Sequence, residues 1–271
     1  MLQDKVIIVT GAGSGMGRAT AKLCAEQGAS VVAVDLHEDA VASVVEEITA
    51  SGGAALARAA DLTVEEAVAG VIDATVERFG TVHALHNNAY AVHPGVATDL
   101  VNTSLEAWEW TVRTCLTSQF LCCRAAIPHM LEHGNGSIIN VSSGNGMFGS
   151  TTSAAYGAAK AGTIVLTKYI ATQYGKRGIR CNTIVPGWTI ATGWTGPKDQ
   201  FSTEAQALFD RALVDVCMPR LAFPEDIAPV VAFLASDDAK YVQAATIEVN
   251  GGLLAHMAGA AGTPLPADAT Q

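Results

Sequence analysis

The segment from Ser143 to Lys160 carries three side chains whose types and spacing could move a proton. Tyr156 and Lys160 are four positions apart, so on a helix they lie on the same face, one turn from each other. A free phenol has a pKa of about 10, but a nearby cation stabilises the phenolate. Ser143 follows a buried-strand pattern at 137–142, and open α/β sheets bind ligands at the carboxyl ends of their strands. A Tyr and a Lys at this spacing are commonly only a surface pair, but this context predicts proton transfer to or from a substrate oxygen.

A glycine-rich loop near the N-terminus follows the first predicted strand. The apolar run at 6–9 lacks alternation, as expected of a strand that is buried on both faces of a parallel sheet. Thr10 to Gly17 then leads into an amphipathic helical segment at 18–27. Glycines let the backbone approach a pyrophosphate closely, and the amide groups at a helix start donate hydrogen bonds to it. A flexible turn is the alternative for a glycine loop alone, but the strand–loop–helix order predicts dinucleotide binding.

Asp35 ends the second predicted strand, about 20 residues beyond the loop. A carboxylate there can accept hydrogen bonds from both ribose hydroxyls of an adenosine and would repel a 2′-phosphate. The loop contains Ser14, and no arginine or lysine lies beside its glycines. Arg18 is the nearby cation, and we expect it to face solvent or the pyrophosphate. These residues predict NAD rather than NADP as the cofactor.

Strands and helices alternate along the rest of the chain. Further strands are predicted at about 54–60, 82–87, 137–142, 179–185 and 246–249, and helices at about 38–51, 64–79, 104–131, 154–175 and 224–235. Repeated βα units predict one α/β domain over 1–252, with a parallel sheet covered by helices on both faces. Residues 188–222 break the alternation and are expected to form a substrate lid; an irregular segment that covers the core is the alternative. The tail at 253–271 is expected to be disordered or docked on a partner subunit.

Composition excludes several classes of function. The chain has 271 residues, a hydrophobic fraction of 49% and a mean hydropathy of +0.28, which predict a sizeable folded core. A net charge of −10 argues against nucleic acids and anionic membranes as partners. The six cysteines show no paired CxxC spacing, so we expect reduced, mostly buried thiols in a cytoplasmic protein without a signal peptide or membrane span. The histidines, including His83 and His86, predict no metal site.

An ordered set of motifs from Lys5 to Gly252 resembles the short-chain dehydrogenase/reductase family, in its branch with a GxxxGxG loop and a YxxxK pair. The set comprises Thr10-Gly-x-x-x-Gly-x-Gly17, Asp61, Asn87-Asn88-Ala89, Ser143 thirteen residues before Tyr156, Tyr156-x-x-x-Lys160 and Pro186-Gly187. The resemblance implies a single Rossmann-like, doubly wound domain with a seven-stranded parallel sheet in the order 3-2-1-4-5-6-7, assembled as a homotetramer. Subunit packing is expected on the small-residue face of helix 154–175 and around Cys122, Cys123 and Ala126.

The resemblance also implies a role for each matching residue. Tyr156 would be the general acid/base, Lys160 would lower its pKa and bind the nicotinamide ribose, and Ser143 would hold the substrate oxygen. The implied cofactor site comprises Gly11, Ser14, Gly15, Met16, Gly17, Asp35, Asp61, Leu62, Asn88, Tyr156, Lys160, Pro186, Gly187 and Thr189. The residues predicted to contact substrate are Ser143, Asn145, Tyr156, Trp188 and Trp194. His93 is a further candidate contact.

Two positions depart from the family pattern beside the predicted site. Cys115 stands where the family usually has an asparagine that kinks its helix and holds a water for the proton relay to the lysine. A thiol is a weak hydrogen-bonding group, so we assign Cys115 no catalytic role, and Thr114 or Thr117 is the candidate substitute. Tyr90 replaces the glycine that usually follows Asn-Asn-Ala. It is expected either near the nicotinamide or packed against its own loop.

The sequence predicts an NAD-dependent oxidoreductase that interconverts a hydrophobic, cyclic or aromatic secondary alcohol and its ketone. The alternative is a catalytically silent dinucleotide-binding or regulatory member of the same fold, because the usual asparagine is missing at Cys115. Against that alternative, Ser143, Tyr156 and Lys160 are all present. A sugar-nucleotide epimerase or dehydratase fits the chain length and the loop spacing poorly.

Overall fold

The computed structural model describes residues 1–190 and 203–256. Trp194, which we predicted to contact substrate, and most of the predicted tail lie outside the described residues. Part of the predicted lid, 191–202, lies outside them as well.

Seven parallel strands form one sheet, in the order β3-β2-β1-β4-β5-β6-β7. The strands are β1 Val6–Thr10, β2 Ser30–Asp35, β3 Ala54–Ala59, β4 Ala84–Asn87, β5 Gly136–Val141, β6 Ile179–Pro186 and β7 Thr246–Val249. Seven strands in this order confirm the Rossmann-like, doubly wound fold that the family resemblance implies. The reversal of strand order beside β1 opens a crevice at the carboxyl ends of β1 and β4, where such folds bind their ligands.

Eight α-helices cover both faces of the sheet in the described part of the chain. They are α1 Gly15–Glu26, α2 Glu38–Ala50, α3 Glu65–Phe79, α4 Leu105–Val112, α5 Ser118–Glu132, α6 Ala154–Tyr174, α7 Thr203–Val214 and α8 Pro224–Ala235. Two apolar clusters separate the layers, one packing α1, α2 and α8 against the sheet and the other packing α3, α5 and α6 against its opposite face. Within β1, Ile7 and Val9 belong to the first cluster and Ile8 to the second, so every side chain of this strand is buried.

The helical stretch predicted at about 104–131 is confirmed, because helix runs without interruption from Leu105 to Glu132. A π-turn at Arg113–Thr117 lies within it and divides it into α4 and α5. Hydroxyl side chains compete there for backbone partners, since Thr114 Oγ1 lies 3.0 Å from the Trp110 carbonyl and Ser118 Oγ donates to the Thr114 carbonyl at 2.7 Å. Hydropathy periodicity does not report such side-chain hydrogen bonds, so the apolar pattern carries no signal for the π-turn.

The apolar surface that we expected around Cys122, Cys123 and Ala126 does not exist. These side chains are 4%, 2% and 0% exposed and pack against the sheet in the second cluster. They occupy the inner face of α5, while Phe120 and Arg124 occupy its outer face. All six cysteines are free thiols and only Cys217 is exposed, which confirms the prediction of mostly buried thiols. Among the described residues, no helix combines the length and apolar composition that a membrane crossing requires.

Candidate active site

A cleft of about 970 Å³ lies at the carboxyl ends of the central strands and gathers most of the residues singled out from the sequence. The predicted residues that line it are Gly11, Ser14, Gly15, Met16, Asp35, Asp61, Leu62, Asn88, Ser143, Tyr156, Lys160, Pro186, Gly187, Trp188 and Thr189. Gly17 and Asn145 do not line the cleft. Asn145 follows Ser143 in a short 3₁₀ turn, where its amide donates to Ser143 Oγ at 3.3 Å. The backbone amide of Asn145 therefore helps to orient the Ser143 hydroxyl.

The glycine loop is shaped by close backbone packing. Gly11 and Gly15 have φ values of +64° and +51°, a region that favours glycine. A Cβ at Gly17 would lie 2.0 Å from the Gly11 carbonyl oxygen, so Gly17 allows α1 to pack directly beneath the loop. No atom lies within 4 Å of a Cβ built at Gly15, which leaves that side of the loop open. With the start of α1 beside it, this loop fits a pyrophosphate.

Thr10 and Asn88 tie the glycine loop to the end of β4. The Thr10 hydroxyl accepts hydrogen bonds from the Asn88 and Ala89 amides at 2.9 and 3.1 Å. In return, Asn88 Nδ2 donates to the Thr10 and Gly11 carbonyls at 3.0 and 3.3 Å. The loop that would hold the cofactor and the segment that leads towards Tyr90 are therefore one hydrogen-bonded unit.

The end of the cleft beside β2 is acidic, and Asp35 and Asp61 line it. Asp35 is half-buried, and its two carboxylate oxygens accept hydrogen bonds from the Gly13 and His37 amides at 3.1 and 3.2 Å. Arg18, which we expected to face solvent or the pyrophosphate, instead forms an ion pair with Glu47 of α2. Lys22 binds the same carboxylate at 2.9 Å, and this hydrogen bond is the main reason that the pKa of Glu47 is lowered. Both cations on this face of α1 are thus engaged away from Asp35.

Ser143, Tyr156 and Lys160 meet where β5 ends against α6. The helix is fixed to the strand by Ser142 Oγ, which donates to the Lys160 carbonyl at 2.7 Å. Lys160 is 1% exposed, and its ammonium donates to the Val141 carbonyl at 2.8 Å. The Lys160 Nζ atom lies 5.7 Å from the centre of the Tyr156 ring. Ser143 shares a hydrogen bond with the Tyr156 hydroxyl.

Burial controls the protonation of this site. It raises the pKa of Tyr156, and the hydrogen bond from Ser143 acts in the opposite direction. Burial also lowers the pKa of Lys160, to about 8. The expected lowering of the Tyr156 pKa by Lys160 is therefore not found in the protein alone. Both groups lose hydration in the same pocket, and this loss is the largest cause of both pKa shifts.

Four further residues line the cleft that were not included in the predicted site. Two of them are aromatic and two belong to the π-turn. The Tyr90 ring lies 6.2 Å from the Tyr156 ring and 5.3 Å from Lys160 Nζ, between centres, so it stands in the cleft beside the predicted catalytic pair. Trp110, Arg113 and Thr114 also line the cleft. They come from the end of α4 and from the π-turn, whose signal in the sequence was the helix-kinking position that the family pattern places at Cys115.

A π-turn lies where the family pattern places a helix-kinking asparagine, and Cys115 is at its centre. Cys115 is buried, and its thiol donates to the Ala91 carbonyl at 3.1 Å. Burial raises the pKa of Cys115 while the charge of Lys160 opposes that rise. Thr114, a candidate substitute, donates to the same carbonyl at 2.7 Å. The other candidate, Thr117, is not among the residues that line the cleft.

His93 has a structural role in the loop that follows β4. Its Nδ1 accepts a hydrogen bond from the Gly95 amide at 3.0 Å, and its ring packs edge-on against Trp110 with 5.7 Å between centres. It does not line the cleft. Within 1–190 and 203–256, no three His, Cys, Asp or Glu side chains form a group that could hold a metal ion.

Comparison with known proteins identifies the family. Residues 11–254 match the family model described as enoyl-(acyl carrier protein) reductase. The chain belongs to the short-chain dehydrogenase/reductase family. It is 40% identical to the 2,5-dichloro-2,5-cyclohexadiene-1,4-diol dehydrogenase of Sphingobium indicum, over 93% of this chain and 96% of the relative. It is 36% identical to the cyclohexanol dehydrogenase of an Acinetobacter species, over 92% and 94% of the two chains.

A solved short-chain dehydrogenase/reductase fold superimposes on the whole domain. The crystal structure of levodione reductase aligns with a TM-score of 0.85 and 32% identity, covering 95% of this chain and all of the other. The protein is thus a member of an oxidoreductase family whose dehydrogenases use nicotinamide dinucleotides. Its relatives include dehydrogenases of cyclic alcohols and diols.

Proposed function

We propose that this protein is an NAD-dependent dehydrogenase that interconverts a hydrophobic cyclic secondary alcohol and its ketone. The observation that carries the proposal is the meeting of Ser143, Tyr156 and Lys160 in the cleft that the glycine loop also lines. A proton acceptor, an oxygen-binding hydroxyl and a buried cation then surround one position at the end of β5. A bound nicotinamide dinucleotide would supply the hydride acceptor.

The proposed chemistry assigns one task to each of the three side chains. Ser143 Oγ and Tyr156 Oη hold the carbinol oxygen, and in the oxidative direction Tyr156 accepts the hydroxyl proton as the carbonyl forms. The Lys160 ammonium, buried behind the tyrosine ring, stabilises the phenolate that this transfer requires. In the reductive direction the same phenol returns its proton to the alkoxide oxygen.

NAD is proposed over NADP because of the charges at the adenosine end. Asp35 presents a carboxylate there, and a 2′-phosphate would meet its negative charge. Arg18 and Lys22, which could have offset this repulsion, are bound to Glu47. A net charge of −10 adds to the same effect.

A cyclic, apolar substrate is proposed from the apolar lining of the cleft. Tyr90, Trp110, Trp188 and Ile190 line it and offer aromatic and aliphatic surface. Such surface binds hydrocarbon rings by removing them from water. The names of two relatives, a cyclohexadienediol dehydrogenase and a cyclohexanol dehydrogenase, support the same substrate class.

The test is turnover of NAD with a panel of secondary alcohols, followed by NADH absorbance. We expect cyclohexanols to be oxidised, and Tyr156→Phe to lower kcat by roughly 10²–10⁴-fold because the proton acceptor is lost. Tyr169→Phe is the matched control, since Tyr169 lies on the same helix but is 63% exposed. A wild-type rate no higher than that of Tyr156→Phe would favour the catalytically silent dinucleotide-binding protein. A preference for small hydroxy acids would contradict the proposed substrate class.

Two further predictions accompany this function. A homotetramer is expected by the family resemblance, with subunit packing on the small-residue face of α6. A cytoplasmic location is expected from the free thiols. Both stay predictions.

A further inference from the structure

The backbone on both sides of Tyr90 is held by side-chain hydrogen bonds. On the preceding side, the amides of Asn88 and Ala89 donate to the Thr10 hydroxyl, which anchors them to the end of β1. On the following side, the carbonyl of Ala91 accepts hydrogen bonds from the π-turn. Tyr90 is the one residue between these two anchors. Its position is therefore set by β1 and by the π-turn together.

The π-turn directs two donors at the carbonyl of Ala91. A threonine hydroxyl has one proton to donate, and the Ala91 oxygen, at 2.7 Å, is the nearest of the three carbonyls around Thr114 Oγ1, the others lying at 3.0 and 3.1 Å. The Cys115 thiol is the second donor, at 3.1 Å. A carbonyl oxygen has two lone pairs and can accept both. Cys115, which replaces the usual asparagine, therefore helps to anchor the segment that contains Tyr90.

The backbone beside Tyr90 is anchored, and its ring contacts Lys160 and Tyr156. The residue nevertheless remains 56% exposed and lines the cleft. One part of the ring covers the Lys160 ammonium at 5.3 Å, within the range of a cation–π contact. Its tilt to the Tyr156 ring is 47°, with 6.2 Å between ring centres. An aromatic surface fixed in this way loses little conformational freedom when a ligand packs on it.

We propose that Tyr90 is a substrate-specificity residue, whose ring forms the wall against which the hydrocarbon ring of a cyclic alcohol packs. The inference rests on the proposed function, because it assumes that the substrate oxygen lies at Ser143 and Tyr156. The two tyrosine rings are 6.2 Å apart between centres, so a substrate ring whose carbinol oxygen contacts the Tyr156 hydroxyl would lie within reach of the Tyr90 ring. Thr114 and Cys115 are positioning residues for this wall, acting through the Ala91 carbonyl.

The decisive measurement compares a cyclic with an open-chain substrate of the same carbon number, cyclohexanol and 2-hexanol. In Tyr90→Ala we expect the ratio of their kcat/KM values to fall about tenfold, through a higher KM for cyclohexanol, because a lost apolar contact weakens binding before and during the reaction alike. Tyr90→Phe keeps the ring and should keep the wild-type ratio. An equal loss for both alcohols in Tyr90→Ala would overturn the inference.

Binding separates this inference from the proposed function. Affinities of cyclohexanone and 2-hexanone for the protein–NAD complex can be compared by ligand-observed NMR without turnover, because oxidised NAD has no hydride to transfer to a ketone. We expect wild type and Tyr90→Phe to prefer cyclohexanone and Tyr90→Ala to lose that preference. If the wild type binds with this preference but oxidises no alcohol, the proposed function is wrong, and what stands is that the Tyr90 ring packs against a cyclic ligand. If binding shows no ring preference in the wild type, the inference is wrong, whatever the turnover.

The positioning role of Cys115 has its own pair of variants. Cys115→Ser keeps a donor at this position and should keep the ratio of the kcat/KM values for cyclohexanol and 2-hexanol. Cys115→Ala removes one of the two donors to the Ala91 carbonyl, leaving Thr114, and should lower that ratio. A fall in both variants, or in neither, would contradict positioning through this hydrogen bond.

Discussion

At the scale of single residues, the site places a buried cation and a buried phenol together, and burial shifts the pKa of each away from its ordinary value. Lys160 has its pKa lowered to about 8 by burial, so its charge is less stable here than in water. One strong hydrogen bond, to the Val141 carbonyl, and the ring of Tyr90 offset part of that loss. Such perturbed groups, lying together in a cleft, are typical of catalytic sites.

Asp35 provides the residue-scale prediction about the cofactor. We expect Asp35→Ala to raise kcat/KM with NADP and to lower kcat/KM with NAD, because the acceptor for the ribose hydroxyls and its negative charge are both lost. The ratio of kcat/KM with NAD to kcat/KM with NADP should fall by about tenfold or more. Steady-state kinetics with each cofactor would measure this. Asp39→Ala removes an exposed acid from the first turn of α2 and is the matched control. A wild-type kcat/KM with NADP equal to or above that with NAD would contradict the role of Asp35.

At the scale of elements, the site depends on two short segments that join the sheet to its helices. The glycine loop joins β1 to α1, and its hydrogen bonds with Asn88 connect it to β4. The π-turn joins α4 to α5 and supplies Thr114 and Cys115 to the loop that carries Tyr90. Single π-turns within helices are frequently found at functional sites. Here the turn directs side chains at a backbone carbonyl rather than at a ligand.

Gly17 allows a direct test of the first segment. In Gly17→Ala the new Cβ would lie 2.0 Å from the Gly11 carbonyl oxygen, so the loop and α1 must move apart. We expect dinucleotide affinity to fall at least about tenfold and the free energy of unfolding to fall by about 1–3 kcal/mol. NADH titration and urea unfolding would measure the two effects.

Gly70→Ala serves as the control for that experiment. Gly70 lies within α3 and a Cβ there meets no atom within 4 Å, so the substitution should raise stability by about 0.5–1 kcal/mol and leave NADH binding unchanged. If Gly17→Ala bound NADH as tightly as Gly70→Ala, close packing beneath the loop would not be needed for the cofactor.

At the scale of the whole molecule, the centre of the sheet contains an ionisable group that limits acid stability. His86 of β4 is fully buried, and burial lowers its pKa to about 4. Its Nδ1 lies 3.4 Å from the Ile139 carbonyl, and its Nε2 has no hydrogen-bond partner among the described residues. Between pH 6.5 and 4 the unfolded chain therefore binds a proton at this histidine that the folded chain does not bind. Stability must fall as pH falls through that range.

The expected loss from His86 is about 3 kcal/mol of unfolding free energy between pH 6.5 and pH 4. Urea unfolding at a series of pH values would measure it. In His86→Leu the pH dependence should be weaker by that amount, because no proton is taken up at this position on unfolding. His37→Leu removes an exposed histidine and should keep the wild-type slope. If the unfolding free energy of His86→Leu changed with pH as steeply as that of the wild type, His86 would not be the group that limits acid stability.

Local spacing determined much of this protein before its fold was known. The strand–loop–helix order, Asp35 at the end of a strand and the four-residue spacing of Tyr156 and Lys160 are properties of a short stretch of chain, so the sequence predicted them. The repeated βα units predicted a parallel sheet for the same reason, because the period of apolar residues reports the local backbone.

Only the tertiary structure decided how distant segments meet. It placed Tyr90 over Lys160, turned Cys122, Cys123 and Ala126 inward, and brought the π-turn to the Ala91 carbonyl. It also decided the direction in which the pKa of Tyr156 moves, since hydration is lost only when several elements close around one side chain. Apolar periodicity carries no information about which segments come together across the sheet, and the chemistry of this site depends on those contacts.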